Sequence, residues 1–413
     1  MRASDWREWS KAMSAKDETA RRGDIKELET IYKNRWRDRI QEELEAFVSA
    51  DILEDLEYQI ATDLNPLWYA ANELGKIYSK SPKRTIDGVE MPEDGDDPLE
   101  PYLANGTLDL ALDQAARLGY ACRSVGLRVL AANIPEPGGE KPKEPPHAVL
   151  DVIPSHKLFV VPDATDQTRL QLVVVRKEKE YVAWDHKEVI HYDLNFAETR
   201  RYPNPYGIIP YVIAHASYPA GEYWGTSEAF GLRDGSYQLA IAATAYNHLR
   251  WLQSHKQGWY RSDDELPVSV TSDPGRWFRV TGDGEVGLLD LQADLPSHIE
   301  SMIDRAALSL AQYGIRPESV RGMLDASSGV ALALKLTAQI SVWEQQRKVW
   351  DVWEQRLYEV AQAVMRVDAG IALPPGRMII DWADIGPQAS AQEQAPEAYQ
   401  GKEAEEGYAR ARG

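Results

Sequence analysis

The chain has 413 residues, 43% hydrophobic and 9% aromatic, which is enough apolar surface for two or three folded domains and too much for a disordered chain. Its formal charge of −19 excludes nucleic-acid binding through the overall field of the molecule. The single Cys122 excludes an internal disulfide and a cysteine-built metal cluster, and its place in the apolar run 118–129 reads as a small core residue.

No apolar stretch follows Met1 and no run of about 18 apolar residues occurs, so the expectation is a soluble, intracellular chain with no membrane partner. Thirteen Trp and twenty Tyr stand against five Phe. Trp and Tyr carry a polar tip on an apolar body, which suits half-buried sites and subunit interfaces as well as cores.

In chain order, Ile25, Leu28, Ile31 and Tyr32 recur at helical spacing within the charged stretch 1–60. A second helix is predicted over 66–80, stopped before Pro82, and a third over 107–121, running at Gly119 into a strand over 124–131. The Pro-rich stretch 133–147 reads as a loop or hairpin tip. Runs 149–161, 170–176, 181–184 and 189–193 alternate or are β-branched and predict strands, followed by a turn at Pro203-Asn204-Pro205-Tyr206-Gly207 and a strand over 208–215.

The second half changes character. A long helix is predicted over 226–257, with Ala240, Ala242, Ala243 and Ala245 allowing a neighbour close approach. Short strands follow over 258–295. Ser297-His298-Ile299-Glu300 has the capping-box form, opening a helix with Ile299, Met302, Ile303, Ala306, Ala307 and Leu310 on one stripe and an end near Gly314. Ser328 can cap a last long helix in which Leu336, Trp343, Trp350, Leu357 and Val364 recur every seven residues. Arg347 and Glu354 interrupt that seam, so a coiled coil is not expected. A strand over 378–380 and a Gln/Glu/Ala-rich tail close the sequence.

No catalytic constellation emerges, and the reading is of a protein that is not an enzyme, with no cofactor and no metal site. Gly282-Asp283-Gly284-Glu285-Val286-Gly287 fits G-x-G-x-x-G, but Leu288-Leu289-Asp290-Leu291 continues as strand where a dinucleotide site needs a helix. Asp283 and Glu285 would repel phosphate, so a β-hairpin turn is expected. His186 and His191 read as exposed strand residues. Asp94, Asp96 and Asp97 lack the distal Glu of a calcium loop, and Asp263-Asp264-Glu265 reads as a solvated turn. Walker A and G-x-S-x-G sequences are absent, and no internal repeat of 20–50 residues is found.

The order of these features resembles one family, the portal proteins of tailed bacteriophages. Leu74-Gly75-Lys76-Ile77-Tyr78-Ser79-Lys80-Ser81-Pro82 is similar to the family's helix entering a "Y…P" strand. Val152-Ile153-Pro154 through Val160 is similar to its "I-P-P" strand, and Asn204-Pro205-Tyr206-Gly207-Ile208-Ile209-Pro210 to its "N-x-x-G-x-I-P" turn. Trp224-Gly225-Thr226-Ser227 resembles the start of its long helix, and Ser328-Gly329-Val330-Ala331-Leu332 the "S-G-x-A-L" start of its last helix. The resemblance covers about residues 60–385 and rests on the order and spacing of motifs that are each weak alone.

The resemblance implies an α+β subunit with a mixed α/β wing (1–225, β-rich over 148–215), a first stem helix (226–257) and a small β-rich clip (258–295). It further implies a second stem helix (296–314), a tunnel loop (315–328), a long wing helix (329–368) and a short C-terminal strand and tail (369–413) as a minimal crown. Family members form rings, usually dodecamers, at one capsid vertex of the virion after assembly in the host cytoplasm. Double-stranded DNA passes through the channel without sequence-specific contacts. The implied partners are a terminase motor, the major capsid protein and a head–tail adaptor.

Candidates for the DNA channel are Arg316, Arg321, Ser327, Ser328 and Lys335. Candidates for clip or intersubunit packing are Trp259, Tyr260, Trp277 and Phe278. The alternative reading is another head–tail connector or a capsid structural protein.

Overall fold

Strands between residues 158 and 193 have two faces that both need cover, and with the exposed edge strand that follows they form a meander. β4 (Leu158–Pro162), β5 (Leu170–Arg176), β6 (Glu180–Trp184), β7 (Glu188–Asp193) and β8 (Glu198–Pro203) pair antiparallel in chain order. The face carrying Leu158, Val173, Val182 and Trp184 packs with Ile153, Tyr211 and Ile213 of a second sheet. That sheet has the order β3 (His147–Pro154), β2 (Ser124–Ala132), β9 (Tyr211–His215), all antiparallel. The opposite face, with Leu172, Val174, Tyr181 and Tyr192, is covered by Trp9 and Met13 of α1 (Trp6–Met13). Pairing shifts between Val161 and Pro162, leaving Gln171 as an extra residue, so Leu170 joins the face of Val173 rather than that of Leu172.

The computed structural model describes residues 1–46, 53, 56–89, 97–135, 142, 144–218, 223–225, 227, 229–254, 257–261, 277–280, 285–289, 295–315 and 337–383. The chain is an α+β protein. It divides into two compact units. The first comprises Met1–Glu29, Ala70–Phe230 and Gly322–Gly413, and the second Thr30–Tyr69 and Gly231–Arg321.

The first unit is closed by helices. α2 (Lys16–Tyr32) buries Ile25 and Leu28 on its apolar stripe. α4 (Pro66–Leu74), which follows α3 (Arg37–Glu45) in the chain, stops well short of Pro82. The cause is Gly75. A Cβ there would lie 2.6 Å from both the Ala71 carbonyl oxygen and the Arg117 Cα, so the chain turns where α5 (Thr107–Cys122) crosses it. Ile77 and Tyr78 remain buried outside the helix.

The last long helix, α8 (Thr337–Val364), is described from residue 337, so its proposed cap at Ser328 and Leu336 lie outside the described residues. Its heptad members Trp343, Trp350, Leu357 and Val364 are all buried, and so are Trp353, Tyr358, Val360 and Ala361. The opposite face is polar, with Glu344, Gln345 and Lys348 exposed, so the helix is amphipathic and buries one broad side in the unit. Its chain then pairs β13 (Met378–Asp381) antiparallel with β1 (Lys83–Ile86).

Within the second unit, Trp36 packs against Tyr237 with ring centroids 5.4 Å apart, and the Asn65 amide donates to the Ile31 carbonyl at 2.8 Å. α6 (Phe230–Ser254) and α7 (Leu295–Ala311) pack where α6 presents glycine. Ideal Cβ atoms at Gly231 and Gly235 would lie 2.6 Å from the Tyr313 hydroxyl and 3.7 Å from Ser309 Oγ.

α7 is assigned from Leu295, two residues before Ser297, with Glu300 in its second turn. It ends as expected. Gly314 sits at φ +81, Ile315 N–H donates to the Leu310 carbonyl at 3.2 Å, and Gly314 N–H to Ala311 at 3.1 Å, a Schellman closure. Between the two helices in the chain, β10 (Gln257–Arg261) is the central strand of a three-stranded sheet. β11 (Trp277–Val280) pairs parallel to it on one side and β12 (Glu285–Leu289) antiparallel on the other. The expected hairpin across residues 282–287 is therefore corrected, because β11 and β12 are separated by β10.

Candidate functional site

α8 carries the polar groups that tie the first unit together. Glu354, read from sequence as a break in the apolar seam, is fully buried. Its carboxylate accepts from Arg84 Nε at 2.6 Å, from Arg84 Nη2 at 3.2 Å and from the Tyr78 hydroxyl at 2.7 Å. Arg84 Nη2 also stands 2.7 Å from Asp109. Burial alone would lower the Arg84 pKa, but Glu354 and Asp109 hold it above the ordinary guanidinium value. Burial, and then the Glu354 charge, keeps the Tyr78 and Tyr102 phenols neutral by raising their pKa values. One helix residue thus joins β1, α5 and the chain after α4.

The tryptophans act similarly. Trp343 Nε1–H donates to the Glu73 carbonyl at 2.9 Å and Trp353 Nε1–H to the His215 carbonyl at 3.0 Å, while Trp350 meets Tyr78 edge-on at 5.5 Å. Arg347 lies half-buried, its guanidinium over the Trp382 ring at 5.4 Å.

The channel candidates Arg316, Arg321, Ser327, Ser328 and Lys335 lie outside the described residues. For the clip candidates the backbone is described. Trp259 is opposite Phe278 in the parallel ladder and opposite Gly287 in the antiparallel one, while Trp277 is opposite Gly258 and Tyr260 opposite Val286. The sheet thus brings Trp259 and Phe278 to one register level.

On α7 the expected apolar stripe divides. Ala306, Ala307 and Leu310 are buried, whereas Ile299 and Ile303 are 37% and 38% exposed. This leaves an apolar face toward the end of α7 nearest the three-stranded sheet in sequence.

His186 is exposed as expected, but in the bend between β6 and β7 rather than in a strand. His191 is not exposed. Its Nδ1 lies 2.7 Å from Glu180 and its Nε2 3.2 Å from the Tyr202 hydroxyl, because β6 and β8 flank it on β7. Cys122 is fully buried, as read. Asp94 and Asp96, and Asp263, Asp264 and Glu265, lie outside the described residues.

A groove of about 440 Å³ along α8 is lined by Asp351, Gln355, Arg356 and Glu359 with Arg169 and Arg377 opposite. Burial raises the Asp351 pKa although Trp382 Nε1–H donates to it at 2.7 Å. Its lining of mixed sign defines no single ligand charge. Among the described residues no group of three or more His, Cys, Asp or Glu is placed to hold a metal, and no helix is long and apolar enough to cross a membrane.

Compared with protein-family models and with curated proteins, the chain matches none.

Proposed function

We propose that the chain is the repeating subunit of a tailed-phage portal, a ring at one capsid vertex through which double-stranded DNA is packaged and ejected. The observation that carries this reading is the order of elements in the second half: long helix α6, the small sheet β11-β10-β12, helix α7, and then the long helix α8. In this reading α6 and α7 are stem helices, the sheet is the clip, the stretch from residue 315 reaches the channel, and α8 anchors that stretch in the wing.

The half-exposed Ile299 and Ile303 on α7 are surface that a neighbouring subunit can cover. A chain of −19 repeated around a ring gives a bore that holds DNA weakly, since sliding requires few phosphate contacts. Arg316, Arg321 and Lys335 supply the local contacts. A separate terminase motor supplies ATP hydrolysis, and the capsid protein and head–tail adaptor are the remaining partners.

Negative-stain imaging and native mass spectrometry of the purified chain are expected to show a closed cyclic ring of about twelve copies. Icosahedral shells would point to a capsid protein instead, and a chain that stays monomeric under all assembly conditions would remove the portal reading. Lys335→Ala and Arg321→Ala are expected to leave rings intact while reducing the DNA packaged per head. Loss of rings in these variants would overturn the channel role.

A further inference from the structure

The segment that follows β9 and leads to α6 is held in the first unit by a histidine whose ring makes no hydrogen bond among the described residues. His215 is fully buried at the end of β9, and neither ring nitrogen has a hydrogen-bond partner among the described residues. Its ring is enclosed by Tyr223 at 4.9 Å, Trp353 at 5.5 Å and Trp224 at 6.0 Å. Tyr223 and Trp224 belong to the segment itself, and Trp353 to α8.

Other attachments of this segment surround the histidine. Ala216 N–H donates to the Arg123 carbonyl at 2.8 Å, Ser227 Oγ donates to the Ala121 carbonyl at 3.0 Å, and the Arg21 guanidinium stacks 3.9 Å over Trp224. Gly225 stands against the Arg123 guanidinium, and Arg123 itself is held at φ +71, a region that residues with a Cβ rarely enter. Holding Arg123 there places a cation beside the segment at a conformational cost met by the surrounding contacts.

We propose that His215 is an acid-sensitive latch that keeps residues 216–218, 223–225, 227 and 229–230 docked within the first unit and releases them when the imidazole takes up a proton. A neutral ring fits the aromatic enclosure. A protonated ring would bury a second N–H donor with no acceptor and place a positive charge among cations.

Among the described residues, the groups acting on it are all unfavourable to that charge. Arg21 from α2 and Arg123 from the turn before β2 are cationic, Tyr223 is a neutral phenol whose pKa burial raises, Trp224 and Trp353 are uncharged, and Ser124, opposite on β2, offers only a hydroxyl. Burial first, and then Arg123 and Arg21, lowers the pKa of the docked imidazole from 6.5 to about 3. The docked state therefore has its full stability above pH 6.5 and loses it as pH falls from there toward 3. Opening that restores an ordinary imidazole should become about 30-fold more frequent between pH 7.5 and pH 5.0.

The latch is independent of the ring reading and is tested on the full chain by hydrogen–deuterium exchange, with rates corrected for the intrinsic pH dependence of amide exchange. Peptides covering 216–230 are expected to lose protection about 30-fold between pH 7.5 and 5.0 while β5 to β7 stay protected. His215→Phe, which fills the aromatic enclosure without a titrating group, and His215→Gln as a second variant, are expected to show a flat profile over that range. Protection of 216–230 that does not change with pH in the wild type overturns the latch. So does an equal loss in whichever variant folds, and so does a loss spread evenly over the first unit.

Discussion

Glu354 is the residue on which the interior of the first unit turns. Its carboxylate is fully buried and holds Arg84, whose side chain is only 2% exposed. Removing one partner of such a pair strands the other, which costs about 3–5 kcal/mol, whereas replacing both with apolar groups of similar volume is often neutral. Glu354→Ala is therefore expected to lower the thermal midpoint sharply, and the double change Glu354→Leu with Arg84→Met to recover most of the loss. A single variant as stable as the wild type would show that the buried network does not hold the core. The sequence made Glu354 look like a defect in an apolar seam because its partner is 270 residues away. Spacing along one helix cannot report a cation delivered by β1.

At the scale of elements, glycines at different positions predict opposite signs. Gly23 lies inside α2 with open space where a Cβ would stand, so Gly23→Ala is expected to stabilise by about 0.5–1 kcal/mol through helix propensity. Gly75→Ala would set a Cβ against the backbone of both Ala71 and Arg117 and is expected to destabilise by about 1–3 kcal/mol. Thermal unfolding of both variants checks the pair, and a neutral Gly75→Ala would mean that α4 and α5 can separate at that crossing.

The same contact explains what the sequence concealed. Apolar periodicity continued through Ile77 and Tyr78, which are buried without being helical, so the helix was expected to reach residue 80. Strands with two buried faces, β5 to β7, were legible from their runs of β-branched residues. β8 was not, because every residue of Glu198–Pro203 is exposed and no alternation marks it. The clip strands were legible as strands, but their pairing was not. A parallel partner 19 positions along leaves no mark in local alternation. His215 carried no motif at all, and its isolation arises only where β9, α8 and the segment after β9 meet.

For the whole molecule, charge sets the conditions under which copies come together. Each copy carries −19, so association must overcome like-charge repulsion screened over about 10 Å at 0.1 M salt. In the proposed ring, assembly at fixed protein concentration is expected to increase as salt rises from about 0.05 M to about 0.3 M, read as ring fraction by light scattering after size exclusion. A fall over that range would show that ion pairs between subunits, rather than apolar surface such as Ile299 and Ile303, dominate the contact.

The pairing of β1 with β13 also has a meaning in time. Lys83 finds Asp381 across most of the chain, and Arg84 waits equally long for Glu354. At about 5–20 residues per second, a ribosome takes roughly 15–60 s to make the stretch between the two strands. During that interval the first unit has no central helix, and an unfinished chain offers chaperones an open core. Synthesis through β13 is thus the event that closes the unit, so chains truncated before it lack the finished fold that could enter an assembly.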